Sequence, residues 1–200
     1  MTTATQTTEV SAINMMLASI GERPVNDIST TQRLDVLRAV ATLNEVNVMV
    51  QTRGWWFNAE EGVTLSPNAD GEYDIPANVV KVDSYYTSIW KFVQRGRRLY
   101  NKDTFSFTAV DDEGTLHTDD LLVNWTVILD FDDLPETAKL YIARRAGVIF
   151  QTRSVGSPTL FEFTEQAAQE AWGLFQQEEL DQEDINLTYA PGIVDAVYRR

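Results

Sequence analysis

The apolar residues near the start of the chain recur with the spacing of helices. From Thr8 to Ile20 they return every three or four positions and fall on one helical face, and Gly21 follows where a left-handed C-terminal cap is expected. A second helix is predicted from about Gln32 to Thr52, before Gly54. The stripe along it has helical spacing at Val36, Val40, Leu43, Asn47 and Val50.

This second stripe is wider than one helical partner requires. Leu37, Val46 and Met49 extend it beyond the narrow seam of a simple coiled coil. We therefore expect the second helix to pack on more than one neighbour.

The middle of the chain has the alternating pattern of strands. Between Gly62 and Asp130, short apolar runs are separated by turn sequences rich in Pro, Asn, Asp and Gly. Because no helical stretch intervenes, antiparallel pairing in a small sheet or barrel is favoured. Five to seven short strands are expected within 63–65, 73–75, 79–86, 92–93, 99–100, 105–110 and 121–129.

Helical spacing returns after this region. A third helix is predicted from Leu134 to about Arg153, with Pro135 suited to its first turn, and a fourth from Ser157-Pro158 to Glu183. The fold class is therefore predicted as α+β. Residues 8–58 and 134–183 would form a discontinuous four-helix bundle, residues 62–130 a β-rich lobe, and residues 184–200 a C-terminal arm.

Composition removes two classes of chemistry. The 200 residues include no Cys and one histidine, His117, which excludes disulfides, thiol nucleophiles and multi-histidine metal sites. The formal charge of −14, from 30 acidic and 16 basic residues, disfavours affinity for free nucleic acid or anionic lipid. The same charge is compatible with DNA passing an acidic wall without adhering to it.

Several acidic residues could be combined into a hydrolytic site. Glu60 and Glu61, with Asp130, Asp132 and Asp133 as partners, could share the acid and base roles of a glycoside hydrolase. Adjacent residues on a strand point to opposite faces, and carboxylates are abundant in this chain, so a chance pairing is favoured.

The basic residues are concentrated in one predicted turn. Arg95, Arg97, Arg98 and Lys102 could contact DNA or an acidic partner, or form a solvated hairpin tip. The net charge favours an acidic neighbouring subunit over phosphate.

Three further groups have alternative interpretations. His117 beside Asp119 and Asp120 suits an exposed loop better than a metal site. The aromatic run 55–57 could stack on bases or sugars, but a buried hinge between bundle and β lobe is favoured. Arg144 and Arg145 could pair with acids across a subunit boundary or within the chain.

An ordered set of motifs resembles one family over nearly the whole chain. The motifs are Ser11 to Val25, Arg53 to Glu61 (RGWWFNAEE), Phe92 to Tyr100 (FVQRGRRLY), Asp133 to Glu136 (DLPE) and Phe150 to Arg153 (FQTR). In this order and spacing they resemble the tail tubular protein A family of short-tailed bacteriophages (podoviruses). No motif in the set is a catalytic signature.

The resemblance implies a structural virion protein that acts as a head-to-tail adaptor. Members assemble as a ring of twelve subunits around the DNA channel, between the portal protein and tail tubular protein B, the nozzle. The resemblance implies no catalytic residue, cofactor or metal, and no membrane partner. Assembly in the host cytoplasm and a place in the virion tail are expected. The alternative function is a tail-associated polysaccharide hydrolase or glycan-binding module.

Overall fold

The chain divides into two compact units. A computed structural model describes residues 6–85, 91–110, 115–116 and 119–187, with side chains as far as 182. One unit comprises Met1–Val50 and Asp130–Arg200, and the other comprises Gln51–Leu129. The first is built from helices and the second from strands, which confirms the α+β class.

The first unit contains the four predicted helices. They are α1 (Glu9–Ser19), α2 (Leu34–Gln51, whose last residue belongs to the second unit), α3 (Glu136–Ser154) and α4 (Pro158–Leu187), with a 3₁₀ turn at Phe131–Asp133. Helix α4 continues four residues past its predicted end, into the predicted arm. Residues 188–200 lie outside the described part of the chain.

Local hydrogen bonds fix both ends of α1. The Thr8 hydroxyl accepts from the Ser11 amide at 3.2 Å, and the Ser11 hydroxyl oxygen accepts from the Thr8 amide at 2.9 Å. This reciprocal capping box satisfies amides that the helix leaves free. At the other end Gly21 has a φ of +78°, which confirms its predicted capping role.

Helix α3 is central to the packing of the first unit, because it contacts both α1 and α4. Phe175 of α4 is fully buried against Tyr141 and Trp172, with ring centroids 5.7 and 6.0 Å away. Aromatic pairs at this distance contribute about 0.5–1.5 kcal/mol beyond their buried area. The complete four-helix bundle stays a prediction.

The wide apolar stripe of α2 is only partly buried. Val36, Leu43 and Val46 are fully buried, whereas Leu37 and Met49 are about half exposed. Part of the apolar face that the sequence assigned to packing is therefore still accessible.

The second unit contains five short strands among its described residues. They are β1 (Ala59–Leu65), β2 (Val79–Ser84), β3 (Phe92–Arg95), β4 (Arg98–Asn101) and β5 (Leu121–Val127). An antiparallel sheet has the order β1-β5-β2, and β3 and β4 form an antiparallel hairpin, so the predicted antiparallel pairing is confirmed.

Two predicted strands are reduced to isolated bridges. Segments 73–75 and 105–110 pair only at single positions, such as Asp74 with Arg98. Pro76 has no backbone N–H, so the pairing of segment 73–75 cannot continue through it. At the start of segment 105–110, Phe105 turns the chain with a φ of +56°. Tyr86, the last residue of another predicted strand, lies outside the described residues.

Two fully buried amide side chains join the beginning and end of this second unit. The Gln51 side chain donates to the Leu129 carbonyl at 3.0 Å and accepts from the Leu129 amide at 2.9 Å. Asn58 donates to the carbonyls of Gln51 and Val127 at 3.0 and 2.7 Å, and accepts from the Trp55 amide at 2.8 Å. The two side chains together satisfy backbone groups that burial would otherwise leave unpaired.

Replacement of Asn58 by Ala should therefore destabilise the protein by about 3 kcal/mol, because it leaves buried backbone groups without partners. Urea unfolding followed by tryptophan fluorescence would measure the change. Asn44→Ala, at an exposed position of α2, is the matched control and should leave the unfolding midpoint nearly unchanged. Equal effects from both substitutions would contradict the role assigned to Asn58.

The beginning of α1 lies against an acidic segment of the same unit. The Glu9 amide donates to the Asp132 carboxylate at 2.9 Å. Partial burial raises the pKa of the Glu9 carboxyl above 4.5, and the charges of Asp132 and Asp130 raise it further. Because the folded state holds this proton more tightly than the unfolded chain, Glu9 reduces stability as the pH rises through its folded pKa.

We expect Glu9→Gln to stabilise the protein near pH 7. The difference from wild type should vanish below about pH 4.5, where Glu9 is protonated in both states. Melting temperatures of the variant and wild type, measured from below about pH 4.5 to pH 7, would test this prediction. Glu162→Gln, at the exposed start of α4, is the control. A gain that persisted at low pH would show that the carboxylate charge is not the cause.

Candidate interaction surfaces

The carboxylates of β1 are part of the sheet surface. Glu60 faces Trp125 across the β1–β5 pair and accepts a hydrogen bond from the indole nitrogen at 2.7 Å. Glu61 is exposed beside Gly62, where the register shifts and the glycine amide donates to the Asn124 side chain at 3.0 Å. Glu60 therefore has a hydrogen-bond partner within the sheet, whereas Glu61 is open to solvent.

The three aspartates considered with them lie at the 3₁₀ turn of the helical unit. Asp132 accepts from the Glu9 amide, and its carbonyl accepts from the buried Lys139 ammonium at 2.6 Å. These bonds attach the beginnings of α1 and α3 to one turn. No group of three His, Cys, Asp or Glu side chains suited to a metal ion occurs among the described residues.

The four residues of the predicted basic cluster lie on the β3–β4 hairpin and the turn after it. Gly96, with a φ of +62°, forms the turn that the sequence predicted. The Arg95 guanidinium lies 3.5 Å from the centre of the Tyr100 ring, and Arg98 lies 4.3 Å from that of Phe107. The two rings meet edge to face at 5.2 Å, so the aromatic side chains hold both guanidinium groups in place.

The aromatic cluster divides into a buried and an accessible part. Trp55 is 2% exposed and has the Arg53 guanidinium 4.6 Å from its ring centre. Trp56 and Phe57 are half-buried and pack edge to face at 5.1 Å. Burial of Trp55 favours a packing role for this residue over base or sugar stacking.

The arginine pair of α3 is also divided. Arg145 forms an ion pair with Glu165 of α4 at 3.1 Å. For this residue the partner is therefore in the same chain, which was one of the two predicted alternatives. Arg144 is exposed. His117 and the segment Tyr189–Arg200 lie outside the described residues.

A groove between α3 and α4 was not anticipated from the sequence. It has a volume of about 440 Å³ and includes Val148, Ile149 and Phe161 in its wall. A neighbouring depression of about 350 Å³ is lined by Met49, Tyr141 and Trp172 among others. The apolar stripe of the second helix predicted that Met49 would pack on a neighbour, but periodicity does not reveal which part of a stripe stays uncovered.

Exposed apolar side chains are concentrated on the helical unit. Ten of the thirteen large exposed ones in the described part of the chain belong to this unit. They are Leu34, Leu37, Val48, Met49, Val155, Leu160, Phe161, Phe163, Leu174 and Leu180. Among the helices that the structure describes, none has an apolar stretch long enough to cross a membrane. Exposed apolar groups at this density are typical of protein interfaces.

Comparison with known proteins identifies the family of this chain. The sequence model of the Tube family, described as tail tubular protein, matches residues 10–185. Tail tubular protein A of Klebsiella phage KP34 is 30% identical over 136 residues, which are 68% of this chain and 67% of that protein. The chain therefore belongs to the tail tubular protein family and is a structural component of a bacteriophage tail.

Proposed function

We propose that the protein forms a closed ring that joins the portal to the tail nozzle and lets genomic DNA pass during ejection. A dodecamer between the portal protein and tail tubular protein B is the assembly that the family resemblance implies. The observation that carries the proposal is the set of exposed apolar side chains on the helical unit.

A ring needs two different surfaces on each subunit, one for each neighbour. The accessible part of α2, with Leu37 and Met49, supplies one apolar area. The beginning of α4 supplies another, because Leu160, Phe161 and Phe163 are all exposed there. These areas support assignment of the helical unit to ring formation.

The charge of the chain suits passage of DNA better than its retention. A formal charge of −14 on each copy repels the phosphate backbone over the Debye length of about 8 Å at physiological salt. An acidic channel would let the duplex slide without sequence-specific contacts. The proposal assigns covalent chemistry to no residue.

A cryo-EM map of the assembled virion tail tests the adaptor role directly. We expect twelve copies of this chain in one ring at the junction of portal and nozzle. Density for the chain elsewhere in the virion would contradict the adaptor role, and another copy number would contradict the dodecamer alone.

The apolar surface of α4 is tested by complementing a phage that lacks this protein. Phe163→Asp should lower the yield of infectious tailed particles by at least about tenfold, because it places an unpaired charge in the proposed interface. Phe163 is 68% exposed, so the isolated fold should tolerate the change.

Gln176→Asp introduces the same charge at an exposed position on a different face of the same helix and is the matched control. It should complement nearly as well as wild type. Full activity of Phe163→Asp would remove this surface from the proposed interface.

A further inference from the structure

The basic β3–β4 hairpin has more positive charge than the carboxylates of the described residues neutralise. Residues 91–102 contain five of the sixteen basic residues of the chain and no acidic residue. Lys91 pairs with Asp103 at 3.8 Å, and Arg98 pairs with Glu72 at 2.7 Å. Arg95, Arg97 and Lys102 are exposed and have no carboxylate partner among the described side chains.

The positions of the arginine side chains are already restricted. Arg95 lies over the Tyr100 ring at 3.5 Å, and the Arg97 guanidinium donates to the Ile75 carbonyl at 3.3 Å. Side chains held in this way lose less conformational entropy when they bind a partner. The surface is therefore prepared to bind carboxylates.

An exposed phenylalanine completes this surface. Phe105 follows Lys102 in the turn after β4, is 79% exposed and has a φ of +56°. A non-glycine residue in this region is strained, and an aromatic side chain gains nothing from solvent exposure. A partner for the hairpin thus needs both carboxylates and apolar groups.

Helix α4 has this combination. Its 30 residues include eight carboxylates and no Lys or Arg. One exposed face carries Glu170, Leu174, Gln177 and Asp181 at helical spacing. Glu170 and Asp181 have no salt bridge to a described side chain, and Leu174 is 53% exposed.

The two surfaces also have similar lengths. From Arg97 to Lys102, the two cations that flank β4, an extended chain spans at most about 17 Å. From Glu170 to Asp181 a helix rises about 16 Å. The cations at the two ends of β4 can therefore reach Glu170 and Asp181 at the two ends of this helical face. Phe105 would then lie near Leu174.

We propose that the β3–β4 hairpin of one copy docks on the exposed face of α4 in a second copy. Since the hairpin and α4 are different surfaces, this contact is heterologous, which is the type that closes a ring. The inference rests on the proposed function and adds the pair of surfaces that would connect neighbours. Duplex DNA fits less well, because phosphates would leave Phe105 without a partner.

Exchange of the charges between the two surfaces tests the contact in the purified full chain. One variant carries Arg97→Glu and Lys102→Glu, and the other carries Glu170→Lys and Asp181→Lys. Sedimentation velocity should show that wild type associates with rising concentration and that each variant alone associates at least about tenfold more weakly. An equimolar mixture should recover association, because opposite charges then meet between copies. A contact within one chain would not be recovered by mixing.

Two further variants separate docking from folding. Lys81→Gln removes an exposed lysine outside the hairpin and should leave association unchanged. Phe105→Asn should weaken association without lowering the melting temperature, because Asn tolerates a positive φ better than Phe. Retained melting temperatures in the charge variants would show that they fold.

Three results would overturn the docking proposal. They are a wild-type chain that stays monomeric at all concentrations, charge variants that associate as wild type does, and a mixture that fails to recover. Binding of duplex DNA that both hairpin substitutions abolish would assign the surface to DNA instead. In each case the position of the chain in the virion map remains an independent test of the adaptor role.

Discussion

The β unit depends on two buried amide side chains that hold its first and last residues together. Gln51 bonds both backbone groups of Leu129, and Asn58 bonds three backbone groups around the same place. A segment inserted between helical stretches must bring its two ends close, and the loss of chain entropy opposes this. Fully satisfied buried polar groups stabilise one specific closure, whereas apolar residues would permit several.

In the helical unit the apolar sequence exceeds what the core of one chain uses. The rings of Tyr141, Trp172 and Phe175 pack together where α3 meets α4, but Phe161 and Phe163 at the beginning of α4 stay exposed. A monomer gains nothing from these residues in water, whereas an assembly buries them. This excess is the physical basis of the proposal that subunit contacts lie on the helices.

Charge is also distributed unevenly along the chain. The β3–β4 hairpin is basic, and α4 is acidic throughout its length. The aromatic ring under Arg95 holds its guanidinium group at the surface, where it remains available to a partner. Apolar contacts supply much of the energy of association in such a system, and charge mainly selects which surfaces meet.

Hydrophobic periodicity by itself determined four helices, an antiparallel β region and the cap at Gly21, because each depends on neighbours close in sequence. The ordered motifs identified the family. Tertiary structure alone decided that Asn58 closes the β unit, that Arg145 pairs with Glu165, and that Leu37 and Met49 stay accessible. These features depend on residues distant in sequence, and periodicity assigns a residue to a face without saying what covers that face.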